Sequence, residues 1–519
     1  MKKLFTLNIA LMLIVTTTAQ TYHEDDKEGL RIFLRQPSAV AGKMNAEQLG
    51  LQISDTANWQ TDEAWVTKVA DLTWNNETPK RLISIGSYNW GWNNKNLSGT
   101  LNASKWTKLK GLYYSNNPIT ALKLNANTEL EFLYCAKSQL TTLDLSANTK
   151  LIMVQCFNNQ LSILDLSANM ELEILDCSNN QLTALDLSSN TNLNWLYCNN
   201  NQLTTLKPNG KMIDCSNNQL IVLDLSNMVN LYRLICSNNQ LSVLDLSNMV
   251  NLHQLTCSNN QLSVLDLTNM AKLNHLTCSN NQLTELYLSS NTELEVLNCY
   301  NNQLSALDLS AANMKLYHIV CYNNHLILSD LFTLSEIWKS NWSPGMFPYG
   351  LGNQTLPSQT IPPGTELDFS VPQNVFNGIY TEFSVTQNGN PAPESDYTIT
   401  DGKITFHTLG TYNVKMTNNA IISSSEHPAE VLFNTVTVGI VEKDKEVSGL
   451  IIYPNPANSH VTITNYGLRA THLEIFDITG KIIGIYPCTD TTTTIDISQL
   501  HTGIYFVRID GKIAKLIKL

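Results

Sequence analysis

Ten of the eleven cysteines fall at positions 135, 156, 177, 198, 215, 236, 257, 278, 299 and 321, spaced by 21 residues except for one interval of 17 and one of 22. Only Cys488 lies outside the series. A period of that length, kept this long, is the mark of a stacked repeat. Leu172, Leu175, Cys177, Asn180 and Leu182 give the common text, L-x-x-L-x-C-x-x-N-x-L. One period upstream, Leu109, Leu112, Tyr114, Asn117 and Ile119 repeat it with Tyr114 in the cysteine's place, which makes eleven copies. A coil this short cannot bury its leucines alone, so it must do so against its neighbours, and stability is a sum along the stack.

The alternation L-x-C predicts one short strand per coil, and Leu164-Asp165-Leu166, Leu244-Asp245-Leu246 and Leu265-Asp266-Leu267 predict a second, with leucines inward and aspartates outward. Two parallel sheets on opposite sides of a solenoid on the order of 50 Å long are therefore expected. Asparagines at 117, 159, 180, 201, 218, 239, 260, 281, 302 and 324 form a column suited to pairing backbone groups where the chain leaves the strand, and Ser138 interrupts it. The 17-residue interval holds Pro208-Asn209-Gly210, a turn expected to replace the second strand, and the 22-residue interval adds a residue near Ala311-Ala312. Both irregularities are expected opposite the cysteine strands.

The repeat resembles the leucine-rich repeat family, of the internalin-like 21-residue kind, over roughly residues 80 to 330. It departs from that family's pattern in placing cysteine where the third leucine belongs. Each cysteine replaces an inward leucine, so free, stacked, apolar thiols are expected in place of disulfides or a metal site. The aspartates at 144, 165, 186, 224, 245, 266 and 308 read as a solvated column that discourages sheet-to-sheet pairing. One carboxylate per coil is too few for calcium. No cofactor is expected.

Lys2 and Lys3 precede an uncharged apolar run, Leu4 to Val15, and a small residue at Ala19: the arrangement of a secretory signal peptide over residues 1–19. That run is short for a membrane span, and no later one is longer, so no transmembrane segment is expected in the mature chain. The formal net charge of −12, with no strongly basic stretch, argues against nucleic acid as a partner. Residues 20–80 do not repeat; Glu24 to Arg35 and Thr61 to Val69 read as helices of an N-terminal cap. Asn96-Leu97-Ser98-Gly99-Thr100-Leu101 is similar to the cap region of plant-type leucine-rich repeat proteins.

The solenoid is placed at 81–342, closed by Trp338 and Trp342; Ser343 to Gly364 reads as a linker, and alternating runs over 365–440 suggest an immunoglobulin-like β-sandwich. The fold class is therefore mainly β: a repeat solenoid with a small helical cap, then two β-sandwich domains. The last, residues 449–519, follows a charged linker, Val441 to Val447. It contains Tyr453, Pro454, Asn455 and Pro456, then Gly480 and Lys481, then Gly503 and Tyr505 ahead of a basic end. In that order the motifs resemble the C-terminal sorting domain of the type IX secretion system. The resemblance implies a translocon partner and delivery to the outer-membrane surface or the medium.

No nucleophile elbow, H-E-x-x-H, phosphate loop or hydrolase-like carboxylate pair appears, so the chain does not read as an enzyme. It reads as an adhesin-like binding protein for a protein or glycan; a surface hydrolase using the solenoid for targeting and a passive surface layer are the alternatives. Outward positions on the cysteine strands lie three before, one before and one after each cysteine. There Tyr113, Phe132, Tyr134, Phe157, Trp195 and Tyr197 mark a candidate binding patch, whereas Ser237, Ser258 and Ser279 occupy the later coils.

Overall fold

The computed structural model describes residues 22–52, 59, 63–87, 92–308, 315–341 and 350–438, and in the C-terminal region 450–453, 457, 459–465, 472–477, 481–487, 492–501, 503–509 and 512–518. The signal segment, Ala311-Ala312, Trp342, the linker 441–447 and Cys488 fall outside them.

The cysteine strands build one 13-stranded sheet in chain order. It opens with an antiparallel hairpin, Leu72–Trp74 against Leu82–Ile85, and continues through parallel strands from Gly111–Tyr113 to His318–Val320. Each coil contributes three residues, and the middle one is buried: Leu175 in Ile174–Asp176 and Leu255 in Gln254–Thr256 are 0% exposed. The ten ladder cysteines are likewise fully buried and unpaired, the expected apolar thiols.

The asparagine column ties the coils together. In the Cys156 coil, Asn159 Nδ2 donates to Cys156 O at 2.9 Å and to Cys135 O of the preceding coil at 3.0 Å, while its Oδ1 accepts from Leu140 N at 3.0 Å. The same three bonds recur at Asn180, with Cys177 O, Cys156 O and Leu161 N, and at Asn201, with Cys198 O, Cys177 O and Leu182 N. The residue before each such asparagine turns the chain with a left-handed φ of 54 to 60°, from Asn116 and Asn158 through Asn323. Asparagine tolerates that region better than other residues bearing a Cβ. Only Lys137 departs from asparagine there, with φ 51°, next to Ser138, whose buried hydroxyl has no partner.

The second half of each coil is not a continuous sheet. Strand pairing occurs there only between Gly99–Asn102 and Ile119–Lys123, Thr205–Leu206 and Val222–Leu223, and Leu286–Tyr287 and Leu307–Asp308, among the described residues. Elsewhere the aspartate folds the chain back: Asp144, Asp165, Asp186 and Asp245 each accept at Oδ1 from the N–H two residues on, at 2.9–3.0 Å. That turn keeps the extended stretch short, and even at Asp224, which makes the same turn, the paired strand is only Val222–Leu223. The leucines still point in and the aspartates out, as with Leu164 and Leu166 at 5% and 1% exposure. A second column of fully buried asparagines, at 127, 148, 169, 190 and 291, bonds carbonyls of successive coils on this side. Met228, Met249 and Met270 take that place in three coils.

The 17-residue coil keeps its second strand, Thr205–Leu206, and loses the turn that follows it. Asn209 Nδ2 there reaches Leu187 O at 2.8 Å, and the cysteine sheet passes undisturbed from Trp195 to Met212 to Arg233.

An α-helix, Glu24–Leu34, covers the first coils with Leu30, Phe33 and Leu34. Arg81 grips the fully buried Asp26 at 2.8 and 3.1 Å and fixes that helix to the hairpin. The second predicted helix is a 3-10 turn, Ala64–Lys68; three of residues 66–69 are β-branched, which disfavours an α-helix.

At the other end the helix Leu328–Asn341 buries Leu328, Leu331, Leu334 and Ile337, with Trp338 half-buried. The expected linker is, over 350–356, a continuation of the stack. Gln354 Nε2 donates to Cys321 O at 3.1 Å and Leu351 O at 2.8 Å, reproducing the asparagine bridge, and Asn353–Leu356 then pairs in parallel with Glu430–Phe433. Tyr300, Tyr322 and His427 stack at 4.7 and 4.5 Å, and solenoid and β-domain form one compact unit. That domain has a sheet built on Glu430–Val438, Gly410–Thr417 and Glu382–Gln387, and a three-stranded one of Glu366–Asp368, Lys403–Phe406 and Tyr397–Thr400, with the Phe406 ring tilted against Tyr412 at 4.7 Å.

The C-terminal unit has a three-stranded and a four-stranded sheet around Val461, Ile463, Leu473, Ile475, Ile495, Val507 and Leu516.

Restoring the missing bridge should stabilise the stack. K137N/S138N is expected to gain about 1–2 kcal/mol, and N201A, which strands three backbone groups, to lose about 2–3 kcal/mol, both read as shifts in the urea midpoint. A midpoint unmoved by N201A would mean the ladder does not hold the coils. Burial also pushes every ladder thiol up, Cys135 and Cys257 to about 12. The unfolded thiols ionise near 8.5, so the stability they lend is whole below that pH and is lost as pH rises toward the folded values, at about 1.4 kcal/mol per thiol per unit. Circular dichroism in reductant should show cooperative unfolding within about one to two units above pH 9. A solenoid intact at pH 11 would contradict buried, protonated thiols.

Candidate binding face of the solenoid sheet

The parallel register turns the outward residues of the cysteine strands into columns whose members lie about 4.8 Å apart. Three before the cysteine the column reads Phe132, Met153, Ile174, Trp195, Met212 and then Arg233. One before it stand Tyr113, Tyr134, Gln155, Asp176, Tyr197 and Asp214.

The six candidate aromatics therefore share one sheet face but not one cluster. Tyr113 and Tyr134 stack at 4.7 Å, and Tyr134 is only 7% exposed, its phenol against the Met153 sulfur. Phe132 is half-buried on the strand of Tyr134. Phe157, one after Cys156, is half-buried under the Lys137 ammonium at 6.0 Å. Trp195, 46% exposed, and half-buried Tyr197 lie three strands further along. Met153 and Ile174 fill the interval and make the first column continuous. A search for rings passes over both, although their outward positions were readable from the cysteine spacing.

Asp176 and Asp214 flank Tyr197 in register. Each uses Oδ1 to accept from a serine N–H and hydroxyl, Ser178 at 3.1 and 2.6 Å and Ser216 at 3.0 and 2.6 Å. Burial, reinforced by Asp214, pushes the Asp176 carboxyl above its ordinary range against the pull of the Ser178 bonds. Past Cys236 the face changes to Ser237, Ser258 and Ser279, all buried, with Ser258 and Ser279 hydroxyls 2.8 Å apart. Tyr300 and Tyr322 are committed to the stack with His427.

In the C-terminal unit, Tyr453 ends the strand Leu450–Tyr453; Pro454, Asn455, Pro456 and Gly480 fall outside the described residues. Lys481 closes a turn with Asp477, its N–H donating to Asp477 Oδ1 at 3.1 Å. Gly503 opens the strand Gly503–Ile509, from which Tyr505 packs against the core.

Residues 451–518 match the secretion system C-terminal sorting domain. Comparison with curated proteins gives no match. Among solved structures, the functional domain of InlJ from Listeria monocytogenes, which includes a cysteine ladder, is 26% identical, covering 65% of this chain and 78% of that one at a TM-score of 0.51. An internalin, inlF, from Listeria monocytogenes is 20% identical over 60% and 86% of the two chains at 0.40. A leucine-rich repeat protein from Leptospira interrogans is 19% identical over 50% and 84% at 0.36. The chain is thus a solenoid of 21-residue repeats similar in fold to an internalin domain with a cysteine ladder, and its residues 451–518 form a secretion system sorting domain. The sorting tail marks the protein for export to the outer-membrane surface or the extracellular space. No helix among the described residues is long and apolar enough to cross a membrane.

Proposed function

We propose that this is an exported binding protein that recognises a protein partner through the first half of its solenoid sheet. The observation that carries the reading is the continuous outward column from Phe132 to Met212, five apolar residues on five adjacent strands, with Trp195 its most open member. An inward framework of leucine, cysteine and asparagine would fold equally well beneath polar residues there, as it does beneath Arg233, Gln254 and His275 further along the same column. A partly exposed apolar row, open at Trp195, half-buried elsewhere and rimmed by polar groups, suits a protein interface. A glycan partner has only the rings themselves in its support. Before export the chain carries residues 1–19 as a signal peptide, cleaved after Ala19, and the sorting domain is read by the type IX translocon independently of the solenoid.

Full-length protein screened on protein and glycan arrays should find a protein ligand, and W195A with Y197A should weaken it by about 2 kcal/mol, roughly 30-fold, with the fold intact. If changes within Ser237–Ser279 abolish binding while these two are neutral, the face has been misassigned. In a host with the type IX system, a chain lacking residues 449–519 should stay in the periplasm, folded, whereas the full chain reaches the surface or medium shortened by about that domain's mass. Surface delivery of the truncated chain would make the tail an adhesion module instead of an address.

A further inference from the structure

The proposed partner face has a chemical polarity that narrows what can dock on it, and the step below rests on that reading of the face. The apolar column Phe132–Met153–Ile174–Trp195–Met212 crosses five strands. At the ~4.8 Å spacing of parallel strands it runs about 19 Å, the rise of an α-helix of about 13 residues. Along one flank, one before the cysteine, stand Asp176, Tyr197 and Asp214 in register. Both serine bonds to each aspartate end on Oδ1, so Oδ2 of each has no hydrogen-bond donor among the described residues. Lys211 immediately precedes the strand of Asp214 and Arg233 lies on the next strand, yet neither forms an ion pair with Asp176 or Asp214 among the described residues. Two carboxylates two strands apart, about 10 Å, with a phenol ring between them, suit a cation seated over the ring and within reach of both. The partial burial of Asp176, which raises its carboxyl pKa, makes such a cation more valuable there than at an open surface site.

We propose that the stripe takes an amphipathic helical protein segment whose apolar row lies along Phe132 to Met212 and whose lysine or arginine side chains meet Asp176 and Asp214 across Tyr197. The apolar row supplies contact area, and the two carboxylates fix which flank of the helix faces them.

The test uses the full chain and two synthetic helical peptides of about 14 residues with the same leucine stripe, one with Lys and Arg along one flank and one with Glu there. In fluorescence anisotropy at about 150 mM salt, the basic peptide should bind at least about tenfold more tightly than the acidic one. D176N/D214N keeps the acceptors for Ser178 and Ser216 and should erase that preference. D245N/D266N removes the same charge from the opposite side of the coil and should leave it intact. A preference that survives D176N/D214N, or that D245N/D266N abolishes, would overturn the proposal by reducing it to long-range attraction toward an acidic protein. Undetectable binding of the basic peptide would also overturn it. W195A separates the two levels of argument. If both peptides bind equally and W195A weakens both, the apolar face stands and its basic partner falls. If W195A changes neither, the reading of the face itself fails.

Discussion

One side-chain amide per coil holds the stack in register. The Asn159 amide spans two coils, donating to the carbonyls of Cys135 and Cys156 and accepting from Leu140 N. These backbone groups are buried behind leucines and cannot turn to water, and a lost partner would cost about 1–3 kcal/mol each. The cysteine carbonyls are the acceptors, so the thiol and amide ladders are two halves of one device. The amide fixes where each cysteine backbone sits, and the thiol, small and apolar, fills the space behind it. Gln354 performs the same bridging with Cys321 O and Leu351 O, one methylene longer, where the stack meets the next domain. The solenoid therefore passes into that domain through its own repeat chemistry, and the Tyr300–Tyr322–His427 stack follows the same line on the outside.

What repeats was legible in the sequence, because inward and outward positions follow from spacing alone. The cysteine sheet, the buried thiols and the amide column all follow from L-x-x-L-x-C-x-x-N. The second sheet is reduced to short isolated pairs because L-D-L alternates like a strand while its aspartate also closes a turn, as Asp165 does with Ser167 N. Alternation counts side chains; it does not see which local hydrogen bond wins. The stretch 350–356 read as a linker because Leu351 and Gln354 replace cysteine and asparagine, and the 14-residue helix before them breaks the period. Likewise the left-handed residue of each coil, Asn158 or Asn179, was hidden beside the more obvious bridging asparagine.

The candidate site was legible in part for a related reason. Column membership of Phe132 and Trp195 could be counted, but burial of Tyr134 depends on Tyr113 stacking upon it from the adjacent coil. Met153 and Ile174 complete the column only when register is considered together with side-chain type. Asp176 and Asp214 gained meaning only when they were found on either side of Tyr197 with their serine bonds confined to one oxygen.

The contrast between the two halves of the sheet bears on function because the framework does not require it. Coils at Cys177 and Cys257 bury the same leucines, the same thiol and the same bridging asparagine. Beneath this identical interior, one coil shows Ile174 and Asp176 to the outside, the other Gln254 and Thr256. Stability is additive along such a stack, so an outward residue that pairs with nothing inside neither helps nor hinders its coil to any large degree. A row of five apolar residues on adjacent strands, open at Trp195 and half-buried elsewhere, is then something the interior does not demand. Its place on one continuous face, beside Asp176 and Asp214, is what supports the proposed binding surface.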